Sequence, residues 1–123
     1  MVPKPTEAEL AILRVLWENG PSTVRQVHSV LSESKAVGYT SVLKLMQIMT
    51  EKGLVLRDES GKSHIYRAKQ SQEKMQRKLL DDLLERAFAG SRRQLVLQAL
   101  NPDTVTKEEL AEVRALLENL EGK

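Results

Sequence analysis

Tyr39-Thr-Ser-Val-Leu-Lys-Leu-Met-Gln-Ile-Met-Thr-Glu-Lys52, closed by Gly53 and followed by Leu54-Val-Leu-Arg57, Asp58-Glu-Ser-Gly-Lys62 and His64-Ile-Tyr-Arg67, decides the fold. Val42, Leu45, Met46 and Met49 recur at a period of about 3.6, so the first segment is predicted to be a helix with one apolar face. Gly53 can adopt the left-handed conformation that ends such a helix. The two later runs are short and β-prone, and the turn between them contains a glycine, so they are predicted to pair as a hairpin.

Upstream, Thr6-Glu-Ala-Glu9 and Thr23-Val-Arg-Gln26 are two capping boxes, each with a hydroxyl placed to accept from the amide three residues on. They open predicted helices over about 6–19, with Leu10, Leu13 and Trp17 on one face, and about 23–33, with Val24, Val27 and Leu31. Asn19-Gly20-Pro21 separates them, because proline cannot extend the hydrogen-bond ladder. Downstream, Ser71 can cap a long helix carrying Met75, Leu79, Leu80, Leu83, Leu84, Ala87 and Phe88, ending near Gly90. A short helix with Leu95, Val96, Ala99 and Leu100 follows, and Thr106-Lys-Glu-Glu109 opens a last one with Leu110, Val113, Leu116, Leu117 and Leu120 on one side.

Three helices, a hairpin and three helices make the fold mainly α with a small β-hairpin. The order is that of a winged helix-turn-helix domain, expected over residues 1–70, followed by a helical dimerisation region over 71–123. In that fold the helix at about 39–52 enters the DNA major groove, and the wing at about 54–68 lies on the backbone.

Composition narrows the function further. The chain has 123 residues, no cysteine and four aromatics, Trp17, Tyr39, Tyr66 and Phe88. Thiolate metal sites and thiol chemistry are therefore excluded, and the core must be aliphatic. Few aromatics and a short C-terminal region also disfavour an enclosed small-molecule pocket. The formal net charge is only +2, but residues 25–69 hold eight bases against four acids, whereas residues 70–123 hold nine against ten. A basic segment followed by a near-neutral one fits a chain that faces an anion with one part and protein with the other. No apolar run approaches the roughly 18 residues of a membrane span, and Met1-Val-Pro-Lys-Pro-Thr6 lacks the apolar stretch of a secretory signal. A cytoplasmic protein that does not insert into a membrane is expected.

With the apolar face of the third helix inward, Thr40, Ser41, Leu43, Lys44, Gln47 and Ile48 are its outward or marginal residues and the candidate readers. Thr40 and Ser41 sit where free helix amides favour an anion. Gln47 suits adenine, Lys44 guanine or phosphate, and Leu43 or Ile48 a thymine methyl. Thr23 and Arg25 at the start of the second helix, with Lys62 and His64 in the wing, are candidate phosphate contacts, and Arg57 and Arg67 lie on the strands beside them. The bland alternative for each is a solvated surface residue.

No motif in the sequence carries a catalytic constellation. Gly61-Lys62-Ser63 resembles the end of a phosphate-binding loop, but the glycine required five positions earlier is Leu56. Ser63 and His64 are strand neighbours whose side chains point to opposite faces. His28 and His64 have no second ligand nearby in sequence, and Asp81 and Asp82 are read as part of a solvated helix face. Neither catalytic activity nor a metal or other cofactor is expected.

The stripe from Met75 to Phe88 is too broad for a helix left in water. Met75, Leu79, Leu80, Leu83, Leu84, Phe88, Leu95, Val96, Val113, Leu116, Leu117 and Leu120 are the candidate dimerisation residues. A two-fold dimer would present two reading helices about 34 Å apart, one turn of a palindromic site.

Several of these segments resemble the penicillinase repressors, the BlaI/MecI group, together with their CopY relatives. The resemblance is carried by Thr6-Glu-Ala-Glu-Leu-Ala-Ile-Leu-Arg-Val-Leu-Trp17, Gly20-Pro21, Thr23-Val-Arg-Gln-Val27, Tyr39-Thr-Ser-Val42, Glu51-Lys-Gly53, His64-Ile-Tyr66 and Leu95-Val-Leu97, and spans about residues 5 to 120. It implies a homodimeric transcriptional repressor of palindromic operators. It also implies a signal from a membrane sensor peptidase that relieves repression by cleavage in the Leu95-Val-Leu97 helix. The cleaved bond of the best-known relatives joins Asn to Phe; here the candidate cleavage position holds Gln98 and Ala99. Copper-responsive members carry a C-terminal cysteine cluster that this chain lacks. The lactamase repressors commonly have Pro-Lys-Thr at Tyr39-Thr40-Ser41 and a base at Ile48, so a different operator is expected. The alternative is a winged-helix protein-interaction module without sequence-specific DNA binding.

Overall fold

A computed structural model describes residues 4–122. Its elements are α1 (Glu7–Asn19), α2 (Val24–Ser32), α3 (Tyr39–Lys52), β1 (Val55–Asp58), β2 (Ile65–Ala68), α4 (Gln72–Phe88), α5 (Arg92–Ala99) and α6 (Lys107–Glu121). All three capping boxes form: Thr6, Thr23 and Thr106 accept from the amides of Glu9, Gln26 and Glu109, whose side chains return a bond to the cap amide. Ser71 accepts from the Lys74 amide at the start of α4. Gly53 ends α3 at φ 79°, a left-handed conformation in which a side chain would be strained. α5 begins earlier than its apolar residues suggest, because the Ser91 hydroxyl accepts from the Gln94 amide and caps the helix there.

β1 and β2 pair antiparallel, with Val55 opposite Ala68 and Asp58 opposite Ile65. One pairing was not evident from the sequence. Ser22, between α1 and α2, donates its amide to the Tyr66 carbonyl at 2.9 Å and accepts from the Tyr66 amide at 2.8 Å. This bridge ties the wing to the helix-turn-helix through the backbone, and a single residue has no periodicity to advertise it.

The chain divides into two compact units, one running to Leu79 and the other from Leu80 onward. The first unit packs Ile12, Leu13, Val15 and Leu16 of α1, Val24 and Val27 of α2, and Val42, Met46 and Met49 of α3 around Leu54, Val55 and Tyr66. Leu45, on the expected apolar face of α3, packs half-buried against this core. Glu9 is buried with it, accepting from the Thr6 amide at 2.9 Å and from Lys52 Nζ at 2.9 and 3.0 Å. The start of α1 is thereby joined to the end of α3. Burial alone raises the Glu9 carboxyl, but the Thr6 amide and the Lys52 ammonium outweigh it and hold the group below its ordinary range. Trp17 donates its indole N–H to the Gln70 carbonyl at 3.0 Å, pinning the segment that leads into α4.

Two residues expected on the dimerisation stripe have a different place. Met75 is 3% exposed within the first unit's core, and Leu79 packs against that core. The expected boundary after residue 70 therefore lies ahead of the division between the units, because the first turns of α4 supply apolar side chains to the first. In the second unit Leu84 is the only buried apolar residue among those described.

Candidate nucleic-acid interface

α3 starts differently from α1, α2, α5 and α6. Its N-cap is Gly38, with no side chain to accept from the first-turn amides, which are left with their partial positive charge. The turn before it is held instead by His28 of α2. The His28 Nε2–H donates to the Val37 carbonyl at 2.8 Å, and since a carbonyl only accepts, this fixes the proton on Nε2. The Ser32 hydroxyl lies 3.2 Å from the same nitrogen. The imidazole also meets the Tyr39 ring edge to face, centroids 5.7 Å apart at 80°. His28 is thus engaged in the helix-turn-helix turn.

Beside this turn lies a concavity of about 290 Å³, lined by Thr23, Val24 and Arg25 of the α2 start, Tyr39 and Leu43 of α3, and Lys62, Ser63, His64 and Tyr66 of the wing. Val24 and Tyr66 are buried and form an apolar floor, whereas Arg25, Lys62 and His64 are exposed on the rim. The α2 and wing side of the concavity suits a phosphodiester strand, which has anionic oxygens for the rim and a less polar sugar for the floor, while Tyr39 and Leu43 form its α3 side. Five of the ten candidate DNA contacts meet here: Thr23, Arg25, Leu43, Lys62 and His64. Thr40, Ser41, Lys44 and Gln47 are exposed on α3 outside the concavity, and Ile48 is half-buried. Tyr39, which the sequence supplied as the helix start and as part of the triplet that departs from Pro-Lys-Thr but not as a candidate contact, is 44% exposed and lines the concavity together with Ser63. Its position as the first residue of the helix after Gly38 was the available signal.

The wing carries its own internal charges. Arg57 Nη2 lies 3.2 Å from Glu59 Oε1, and His64 Nε2 lies 3.8 Å from the same oxygen. The Tyr66 hydroxyl beside Arg57, with help from Glu59, raises the guanidinium pKa further. Arg57 is therefore more committed to the protein than a free phosphate contact would be, whereas Lys62 has no such partner among the described residues. Asp58 Oδ1 accepts from the Ser60 hydroxyl at 2.7 Å and its amide at 2.9 Å, which shapes the turn and lowers the Asp58 pKa.

Of the remaining dimerisation candidates, Leu80, Leu83, Val96, Leu116, Leu117 and Leu120 are exposed, while Phe88, Leu95 and Val113 are half-buried and Leu84 is buried within the protomer. Leu97, outside that set, is 57% exposed. Gln98 and Ala99 are both exposed at the end of α5. Among the described residues no cluster of histidine, aspartate or glutamate is placed to hold a metal ion, and no helix is long and apolar enough to cross a membrane.

Three helices, the third uncapped beside a hairpin with cations around a shared concavity, define a winged-helix regulator. The chain belongs to the penicillinase repressor family, whose model matches residues 5–119. That family consists of transcriptional repressors, which are not enzymes.

Individual relatives agree with this assignment. The chain is 33% identical over 92 residues to the transcriptional regulator BlaI of Mycobacterium tuberculosis, covering 74% of this chain and 67% of that protein. It is 21% identical over 117 residues to the penicillinase repressor of Bacillus licheniformis, covering 95% and 91%. Among solved structures, the monomeric form of Bacillus licheniformis BlaI in complex with the blaP half-operator matches with a TM-score of 0.52 at 18% identity, over 59% of this chain and 89% of that one. Transcriptional regulator Tm0710 from Thermotoga maritima matches with a TM-score of 0.54 at 19% identity, over 95% and 74%. Both structures share the fold.

Proposed function

We propose that the chain is a homodimeric repressor that binds a palindromic operator, with α3 in the major groove and the wing and the α2 start on the backbone. The observation that carries this reading is the convergence of Thr23, Arg25, Leu43, Lys62 and His64, from three separate segments, on one concavity beside the uncapped start of α3. A surface for protein would gain little from Arg25 and Lys62 placed with an imidazole on the rim of a groove, whereas a phosphodiester strand is matched by them. The half-operator complex of the Bacillus licheniformis BlaI monomer gives the reading a precedent in a relative. Dimerisation is supported by the exposed leucines of the second unit, Leu80, Leu83, Leu116, Leu117 and Leu120, which recur on apolar helix stripes that a second copy could cover.

Relief of repression by a membrane sensor peptidase is the finer part of the reading. It would require a peptidase that accepts Gln98-Ala99, and the exposure of both residues at the end of a short helix leaves the bond within reach when the last turn frays.

A gel-shift titration with duplexes from the chain's own promoter, repeated at several salt concentrations, tests the reading. Binding is expected at low salt, with log K falling by about 0.9 per phosphate contact per decade of salt. Lys44→Ala should weaken binding and reduce that slope, while Gln47→Ala should change the preference at one base pair, by about 1–3 kcal/mol. No shift at low salt would favour a protein-interaction module instead.

A further inference from the structure

Tyr39 has three properties that no other residue of the interface combines. It is the first residue of α3, where side chains of a recognition helix reach base edges. It remains 44% exposed although it lines the concavity, and its hydroxyl has no hydrogen-bond partner among the described residues. Its ring is held by an edge contact to His28, whose own Nε2–H is engaged by the Val37 carbonyl. A large aromatic at a helix start ordinarily folds onto the protein or moves freely; this one is braced from behind and open in front.

We propose that Tyr39 is a specificity-determining residue for the operator, its ring packing against a thymine methyl at one base pair of each half-site, and that His28 is the positioning residue that holds it there. The proposal rests on the reading of the chain as a DNA-binding repressor. Physically, a tyrosine has only two side-chain torsions to restrain, so a braced ring loses little entropy when it meets a base. His28 contributes twice. Its bond to Val37 sets the residue immediately before the Gly38 cap, and hence the point at which α3 begins, while its ring limits the Tyr39 side chain. Loss of the imidazole would release both restraints without removing any group that faces DNA.

The test is selection from a random duplex library with the full chain, followed by affinity measurements on the selected operator and on a scrambled duplex. Wild type should enrich a two-fold site. Tyr39→Ala should lose the preference at one position per half-site and bind the operator roughly 5- to 100-fold more weakly, with binding to the scrambled duplex changed less than about twofold. Tyr39→Phe should keep the preference, because the ring does the reading. His28→Ala should lose preference at the same position as Tyr39→Ala. His28→Gln, whose amide can still donate to Val37, should restore part of it. Thermal melts of each variant separate this pattern from general destabilisation, which would weaken operator and scrambled binding together. Unchanged preference in Tyr39→Ala would overturn the assignment of Tyr39, and a loss in Tyr39→Phe equal to that in Tyr39→Ala would overturn the ring as the reading group. Preference retained in His28→Ala would overturn the positioning role. Enrichment of no site by wild type would remove the repressor reading itself, and the proposal with it.

Discussion

Met46 of α3 and Leu117 of α6 are both large aliphatic residues on the apolar face of an amphipathic helix, yet Met46 is fully buried and Leu117 is 51% exposed. The same contrast separates the two units. The first surrounds its aliphatic side chains with α1, α2, the hairpin and the start of α4, and even buries the carboxylate of Glu9, which pairs with the more exposed Lys52 and joins two helix ends. The second sets out well-capped helices, α5 from Ser91 and α6 from Thr106, but they approach one another only sparsely and leave leucines in water. Local helix signals are equally good in both. What differs is whether the apolar faces find partners within the chain, and the proposed dimer is the reading under which the second unit's faces are completed by another copy.

The largest expected effect breaks that completion. Leu117→Asp together with Leu120→Asp places charges at two exposed apolar positions, so the helices should stay folded while the proposed dimer dissociates. Sedimentation should then show monomers, and affinity for a full palindrome should fall by about 100-fold or more, because the two half-sites no longer bind as a linked pair. Half-site affinity should hardly change. A variant that remains dimeric would show that α6 is not the covered surface.

Met46→Ala tests the other side of the comparison. Loss of a fully buried side chain should destabilise the first unit by about 2–5 kcal/mol. Its effect on the denaturation midpoint should be the same at low and high protein concentration. Leu117→Ala, by contrast, should shift the midpoint in a concentration-dependent way, since it acts through assembly.

A smaller effect, about 1.5–3 kcal/mol, is expected for Glu9→Gln, which removes a charge-assisted bond from within the first unit. The Glu9 carboxyl is held below its ordinary value, so the folded chain binds this proton less readily than the unfolded chain does. The stabilisation is therefore fully present above about pH 4.5 and is lost as pH falls through the lower folded value. Denaturant unfolding of wild type and Glu9→Gln should differ most near neutral pH and converge in acid. A constant difference across that range would mean that Glu9 acts by packing alone.

Much of the interface was legible because its signals are local. The three threonine capping boxes and Gly53 fix helix ends within a few residues, and the apolar period of α3 assigns its outward face without reference to the rest of the chain. Ile48 shows the limit of that method: a period places it at the margin of the outward face, and only packing decides that it is half-buried. Met75 and Leu79 show it again, since one stripe on α4 is divided between the two units and periodicity does not say where the first ends.

The sequence by itself determined the order of elements, the sites of their caps, the basic character of residues 25–69 and the membership of a repressor family. Those properties reside in neighbouring residues or in residue type. Tertiary structure alone decided the Ser22–Tyr66 bridge, the Glu9–Lys52 pair, the brace of His28 on Val37 and Tyr39, and the gathering of Arg25, Leu43 and Lys62 around one concavity. Each joins side chains or backbone groups that several elements must first bring within hydrogen-bond or contact range, and no spacing along the chain encodes that meeting.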